Sequence, residues 1–362
     1  MSRPRLPSLR LALIAGACFL WSGTAPADEP IEPGVRGVAT RATGKVTIDG
    51  DLSEFRGAFC TPVGYFEHDV KNRAAQFFYL WDDEAFYAGL RTLDQKQANP
   101  APDDRLWEGD GVEWYFDTRR GEDFRSESWG DGAVHMYWTA YKNAELHPRW
   151  CLRPDMLKAI PGEGVEVAAR KTSFGAETEF KLPWSNFPKF KANRDAVIAL
   201  DAELCYGDGA GRTYRTFAYG SPLSVTQPAS QAKVQLVDAV NAAVWKQCGA
   251  VMAPMRVDTA WSQPSSKALV TGMMAVPPEL ADQIGKLAFR LLDTSGKTIA
   301  EHEAKVATLN AEGRFFRAEA QWPSDEAAPG TYLPLGIVYD REGHELTRVA
   351  PRLVSVNNSP GY

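Results

Sequence analysis

Short segments in which apolar and polar side chains alternate recur between turn residues along the first two thirds of this chain. They fall at 45–48, 75–81, 85–91, 112–117, 134–141, 165–171, 176–182, 197–206 and 213–219. A period of two marks strands with one buried face, and the regular spacing predicts an all-β sandwich. A last strand of this series is expected at 233–237, after which 239–255 changes character and a domain boundary is placed near Gly249. A second strand series follows, with hairpin turns expected at 293–297 and 340–344. Helical periodicity is scarce: 277–283 suits one short helix, and 185–187 after Pro183 a 3₁₀ turn.

Parity along the strands divides the side chains into two sets. One holds Phe78, Leu80, Phe86, Ala88, Leu90, Val112, Trp114, Phe116, Met136, Trp138 and Ala140, and is expected to be core. The other holds Phe77, Tyr79, Trp81, Tyr87, Arg91, Glu113, Tyr115, Asp117, His135, Tyr137, Thr139 and Tyr141, mixing rings with hydrogen-bonding groups. Sugars present an apolar C–H face and a rim of hydroxyls, so their sites pair flat aromatics with carboxylates, amides or guanidiniums. The stretch 106–117 fits this best, because Trp107 in a polar turn leads into a strand carrying Glu113 and Tyr115. The plainer explanation is that aromatics form strands well and that this face too is covered.

The N-terminus reads as an export signal over 1–27: Arg3, Arg5 and Arg10 precede an apolar run at 11–21, and Ala25-Pro26-Ala27 offers a cleavage site. That run is shorter than the roughly 20 residues a membrane span needs, so a periplasmic or extracellular protein is expected. Losing three arginines takes the formal charge from -6 to -9, which disfavours nucleic acid as a partner. Cys60, Cys151, Cys205 and Cys248 would remain, an even number with no CxxC spacing. They read as two disulfides of undetermined pairing or as buried thiols.

Three motifs, in order, resemble the family 9 carbohydrate-binding modules, noncatalytic β-sandwiches often attached to polysaccharide-degrading enzymes. They are Thr47-Ile48-Asp49-Gly50-Asp51-Leu52-Ser53-Glu54-Phe55, Phe78-Tyr79-Leu80-Trp81-Asp82-Asp83-Glu84-Ala85-Phe86-Tyr87, and the stretch from Trp107 through Glu113 to Asp117. The resemblance covers about 45–237. It implies a jelly-roll-like sandwich over 28–248 that binds a saccharide or polysaccharide end and serves carbohydrate catabolism. In that family a sugar is held between two tryptophans, with charged residues on its hydroxyls; the first tryptophan and the glutamate correspond to Trp107 and Glu113. The arginine expected within 135–141 is absent, with Tyr137 or a neighbour in its place, and 223–228 holds no second tryptophan. Trp129 could replace that ring from another loop. Tyr115, Tyr137 and Arg91 complete the candidate set. Residues 249–362 are similar to an immunoglobulin-like or fibronectin-like sandwich, a surface for a protein partner.

The resemblance requires no cofactor and allows structural calcium. Asp49 and Asp51 are the candidate ligands, although solvated turn acids explain them more simply. Glu113 and Asp117 on one strand face would be about 13 Å apart, too far for a retaining glycosidase pair. No GxSxG or HExxH occurs among the scattered histidines. The family is related to haem-binding sandwiches of electron-transfer proteins, but His135 and Met136 face opposite sides of a strand. Met156 or Lys233 would have to be the second ligand.

Overall fold

The computed structural model describes residues 31–64, 73–119, 129–154, 160–219, 222–248, 256–257, 267–275, 283–323, 330–349 and 354–356. The export signal, Met156, Gly249 and nearly all of 277–283 lie outside them.

The first unit is one continuous sheet of twelve strands: β1 (Val35–Arg41), β2 (Cys60–Gly64), β3 (Ala74–Trp81), β4 (Ala85–Leu93), β5 (Gly111–Asp117), β6 (Ala133–Lys142), β7 (Glu145–Leu152), β8 (Glu166–Lys171), β9 (Gly175–Pro183), β10 (Val197–Gly207), β11 (Arg212–Phe217) and β12 (Ala232–Val237). Their order is β7-β6-β5-β10-β12-β1-β3-β4-β9-β8, with β11 on β10 and β2 on β3. The middle strand β1 runs parallel to both neighbours, β12 and β3. The sheet folds over there. Phe180 of β9 meets Trp114 of β5 at 5.0 Å and Trp138 of β6 at 5.5 Å between ring centroids, and Phe86 of β4 meets Phe116 at 5.1 Å. Strands near opposite ends of the hydrogen-bonded order thus supply the two walls of one core, which is a sandwich.

Most predicted strands are present, but β3 is turned over relative to the expected parity. Its partners on β4 are Leu90 for Phe77, Ala88 for Tyr79 and Phe86 for Trp81. Residues directly paired across a sheet share a face, so Phe77, Tyr79 and Trp81 join the core and Phe78 and Leu80 point outward. Both faces of β3 are covered, and for such a strand alternation carries little information. Trp81 also donates its indole N–H to the Val237 carbonyl at 2.9 Å, tying β3 to the end of β12. The expected strand at 45–48 is an extended segment without a ladder partner. It precedes a 3₁₀ turn, Leu52–Phe55, whose Leu52 and Phe55 cover the outer face of β3 and β4. A second 3₁₀ turn at Trp184–Asn186 lies close to the predicted one.

A short helix, α1 (Ala242–Cys248), follows. Beyond it are β13 (Arg256–Val257), β14 (Lys267–Ala275), β15 (Ile284–Leu292), β16 (Thr298–Glu303), β17 (Lys305–Asn310), β18 (Phe315–Pro323), β19 (Gly330–Asp340), β20 (Glu345–Val349) and β21 (Val354–Val356). They form one sheet in the order β13-β14-β18-β17 and another in the order β16-β15-β19-β20, with β21 on β19. Leu287, Phe289 and Leu291 of β15 pack with Ala318 and Ala320 of β18, so these sheets too face each other. Both expected hairpin turns form, with Gly296 at φ 84° and Gly343 at φ 90° in the left-handed region open to glycine. The second unit rests on the first through Phe174 against Phe315, 5.8 Å between ring centroids, and through Gln76 Nε2, which donates to the Gly313 carbonyl at 3.1 Å.

The four cysteines are free thiols on β2, β7, β10 and α1. Burial pushes the Cys60 and Cys248 thiols up to about 12 and that of Cys151 up to about 11, so they stay protonated and inert near neutrality. No helix among the described residues is long and apolar enough to cross a membrane.

Candidate functional site

The alternation of β5 sends Val112, Trp114 and Phe116 into the core and Glu113, Tyr115 and Asp117 to the outer face. Register then decides their company. Glu113 pairs with Tyr137 of β6 on one side and with Glu203 of β10 on the other, while Tyr115 pairs with His135 and Asp201. Glu113 and Tyr115 therefore meet residues that are remote in sequence.

The Tyr115 hydroxyl donates to Glu113 Oε2 at 2.9 Å and also lies 3.0 Å from Glu203 Oε2. Arg212 Nη1 is 2.8 Å from Glu113 Oε1, 3.5 Å from Glu203 Oε1 and 3.6 Å from the Cys205 sulfur; Arg215 Nη1 is 3.6 Å from Glu203 Oε1. His135 Nε2 is 3.1 Å from Glu113 Oε2 and its Nδ1 is 3.4 Å from Arg153 Nη1. A proton on Nε2 with Nδ1 accepting from Arg153 satisfies both contacts.

Burial and partners divide the two acids. Burial raises the Glu113 carboxyl, but the His135 and Tyr115 hydrogen bonds and the Arg212 charge outweigh it and hold the group below its ordinary value. Burial and then the charge of Glu113 push Glu203 up to about 7, against the opposing pull of Arg215 and Arg212. Burial and the two acids drive the Tyr115 hydroxyl far above its ordinary range.

Both tryptophans expected at the site lie over this face. Trp107 stands on a 3₁₀ turn, Leu106–Glu108, anchored by the buried Leu106. Asn99 Nδ2 holds the turn by donating to the Leu106 and Asp110 carbonyls, both at 2.8 Å. Asp110, which burial pushes up to about 7, accepts from the backbone N–H of Ala98 at 2.6 Å and of Gly207 at 2.7 Å, fixing the turn to β10. The half-buried Trp107 ring lies 4.7 Å from Tyr137, centroid to centroid. Trp129 stacks on His135 at 5.7 Å, and His135 and Tyr137 are 4.8 Å apart. Four rings thus run side by side, floored by β6.

Other expectations are corrected. The face is not open: Glu113, Tyr115, His135 and Tyr137 are all buried, and the half-buried Trp107 and Trp129 with the exposed Arg212 form its outer layer. Arg91 is not in the site. It belongs to the outer face of β4, on the other wall of the sandwich, where its Nε binds Glu177 at 2.7 Å and its guanidinium lies over Phe78 at 5.3 Å. Asp49 and Asp51 are engaged within the opening turn. Asp49 Oδ1 accepts from the Asp51 N–H at 2.8 Å, and Asp51 accepts from the Ser53 N–H at 3.0 Å and from Arg170 at 2.6 Å. Both carboxylates accept from backbone N–H groups of their own turn, and that of Asp51 also meets the Arg170 guanidinium. Among the described residues, Glu113, Glu203 and Cys205 bring donor atoms within 4.8 Å of one another, but the cation among them is the Arg212 guanidinium. His135 and Met136 do part to opposite faces, Met136 into the core.

Arg212 and Arg215 were not legible in sequence, because three-residue spacing places side chains on opposite faces of a regular strand. The ladder slips between Tyr206 and Gly207: Tyr206 pairs with Tyr214 but Gly207 pairs with Arg212. This bulge absorbs Thr213 and brings both arginines to the side of Glu203 and Cys205. β11 thus supplies the cation that β6 lacks.

Residues 55–222 match the model of a family described as carbohydrate family 9 binding domain-like. The chain resembles that noncatalytic family. A family 9 carbohydrate-binding module from Caldicellulosiruptor kristjanssonii in complex with cellotriose is 16% identical to this chain, covering 57% of it and 96% of the module at a TM-score of 0.44. The same description with glucose bound gives 15% identity, 56% and 96% coverage and a TM-score of 0.42. No curated protein sequence matches this chain.

Proposed function

We propose that this protein is a noncatalytic saccharide binder. Trp107 offers the stacking surface, Arg212, held in place by the buried Glu113, the donors that meet hydroxyls at its edge, and Trp129 a second ring. The observation that carries this reading is the adjacency of a half-buried tryptophan, seated on Tyr137 at 4.7 Å, to Glu113, the cross-strand neighbour of that tyrosine, whose carboxylate is paired at 2.8 Å with the Arg212 guanidinium reaching in from β11. An apolar plate beside fixed polar groups matches the two-sided chemistry of a pyranose. The match of 55–222 to a carbohydrate-binding family model supports it independently.

Hydrolysis is disfavoured by the same geometry. Glu113 and Glu203 are buried, share one tyrosine hydroxyl and have Arg212 between them, whereas glycosidase carboxylates flank a sugar from about 5 to 10 Å apart. The N-terminal signal pattern supports export, where such a binder would hold products of polysaccharide breakdown, and the second unit offers a surface for a protein partner.

Titration with mono- and oligosaccharides, read by tryptophan fluorescence, tests the proposal. Saturable quenching or enhancement that Trp107→Ala abolishes supports it; a broad panel without response overturns it.

A further inference from the structure

The two guanidiniums of β11 do more than neutralise buried acids. Arg212 reaches inward through Nη1 alone, and its side chain remains 28% exposed. Arg215 touches Glu203 only through Nη1, at 3.6 Å, and is 47% exposed. A guanidinium carries five N–H donors in one plane, so each arginine keeps Nε and Nη2 donors beyond these contacts. Burial and the charge of Glu113 push Glu203 up to about 7, which weakens its hold on the two arginines. A cationic surplus faces outward from a chain whose formal net charge is -6.

This surplus adjoins the tryptophan. A Cβ built on Gly211, next to Arg212, would lie 3.6 Å from the carbonyl oxygen of Glu108, next to Trp107. The acid of that turn, Glu108, is engaged by Arg105 at 3.3 Å. Resting on the saccharide-binding reading, we propose that the ligand is an acidic sugar, a uronic acid unit whose ring lies on Trp107 and whose carboxylate is held by Arg212 and Arg215. A planar guanidinium matches a carboxylate with two parallel hydrogen bonds, which it cannot make to a single hydroxyl.

The test is calorimetric titration of the whole protein with an oligogalacturonide and with the same oligomer after its carboxyls are reduced to alcohols. The acidic form is expected to bind about tenfold more tightly, the advantage shrinking as salt is raised. Arg215→Gln, at an exposed position that touches only Glu203 at 3.6 Å and the Phe217 ring at 5.9 Å, is expected to remove most of that advantage. Equal or tighter binding of the reduced oligomer, lost in Trp107→Ala, overturns the acidic-sugar inference while the saccharide reading stands. An acidic preference untouched by Arg215→Gln and Arg212→Lys overturns the assignment to β11. Binding of neither form, nor of other saccharides, overturns both.

Discussion

Glu113 and Glu203 stand directly opposite each other on β5 and β10 and contact the same hydroxyl, that of Tyr115, at 2.9 and 3.0 Å. Like charges so placed cannot both ionise cheaply in a buried site, and the strain falls on Glu203, whose carboxyl is pushed up to about 7. Burial does the same to Asp110 and Glu179, each also about 7. Groups raised in the folded state stabilise it fully below their unfolded values, and the contribution is lost as pH rises through the folded ones. Glu113 is lowered, so its contribution is present above the ordinary carboxylate range and is lost on acidification. Stability is therefore expected to fall between about pH 4.5 and 7 and to peak on the acidic side of neutrality. Thermal unfolding midpoints across that range check it. Glu203→Gln should flatten the decline; an unchanged slope would remove Glu203 as a cause.

Arg212 is expected to be structural as well as ligand-facing. Removing it leaves the ionised Glu113 buried with its Oε1 held only by the distant Cys205 sulfur at 3.7 Å. Arg212→Ala should cost about 2–4 kcal/mol in denaturant-induced unfolding, as expected for a stranded buried charge. Arg212→Lys should recover part of it. A loss within about 0.5 kcal/mol, the scale of a neutral surface change, would mean that Glu113 is satisfied by His135 and Tyr115 alone.

These two acids also measure what the chain reveals in advance. The Trp107-to-Asp117 motif announced both the fold and half of the site, because a turn tryptophan followed by strict alternation is a local signal. Glu203 could not be found that way: it meets Glu113 only through the β5–β10 register, across 90 positions of chain. β7 was missed for a local reason, since Glu145–Leu152 is an edge strand with Pro148 inside it and its first three residues exposed, the apolar Leu146 among them. β2, a short strand off the main sheet path and containing Pro62, failed similarly. The inversion of β3 arose because both its faces are covered, so apart from Gln76 apolar or aromatic residues stand at every position and parity has little to register against.

The opening turn offers a test of packing that is independent of any ligand. Gly50 has φ 92°, its N–H donates to Glu179 Oε2 at 2.6 Å, and a Cβ there would lie 2.6 Å from the carbonyl carbon of Ala169 on β8. Gly57 has φ 78° with nothing within 4 Å of the same position. Gly57→Ala should therefore cost only the left-handed backbone penalty of about 1 kcal/mol. Gly50→Ala should cost about 2 kcal/mol more, since β8 must move as well. Equal losses in denaturant unfolding would show that the turn and β8 do not press on each other.

The tryptophans should separate binding from folding. Trp114 is completely buried, within 5.0 Å of Phe180 and 5.4 Å of Phe116 between centroids, whereas Trp107 is half-buried and its ring contact is Tyr137. Trp114→Ala should cost about 3–5 kcal/mol of stability, the range for deleting a core aromatic. Trp107→Ala forfeits a single aromatic contact, about 0.5–1.5 kcal/mol beyond its buried area, and should leave the unfolding transition cooperative while abolishing the response to sugar. Because the Trp107 ring caps Tyr137, its removal should also raise the accessibility of Tyr137 to surface iodination or oxidation. If Trp107→Ala instead unfolded the protein as thoroughly as Trp114→Ala, the turn would be a plug in the core and the stacking role assigned to it would fall.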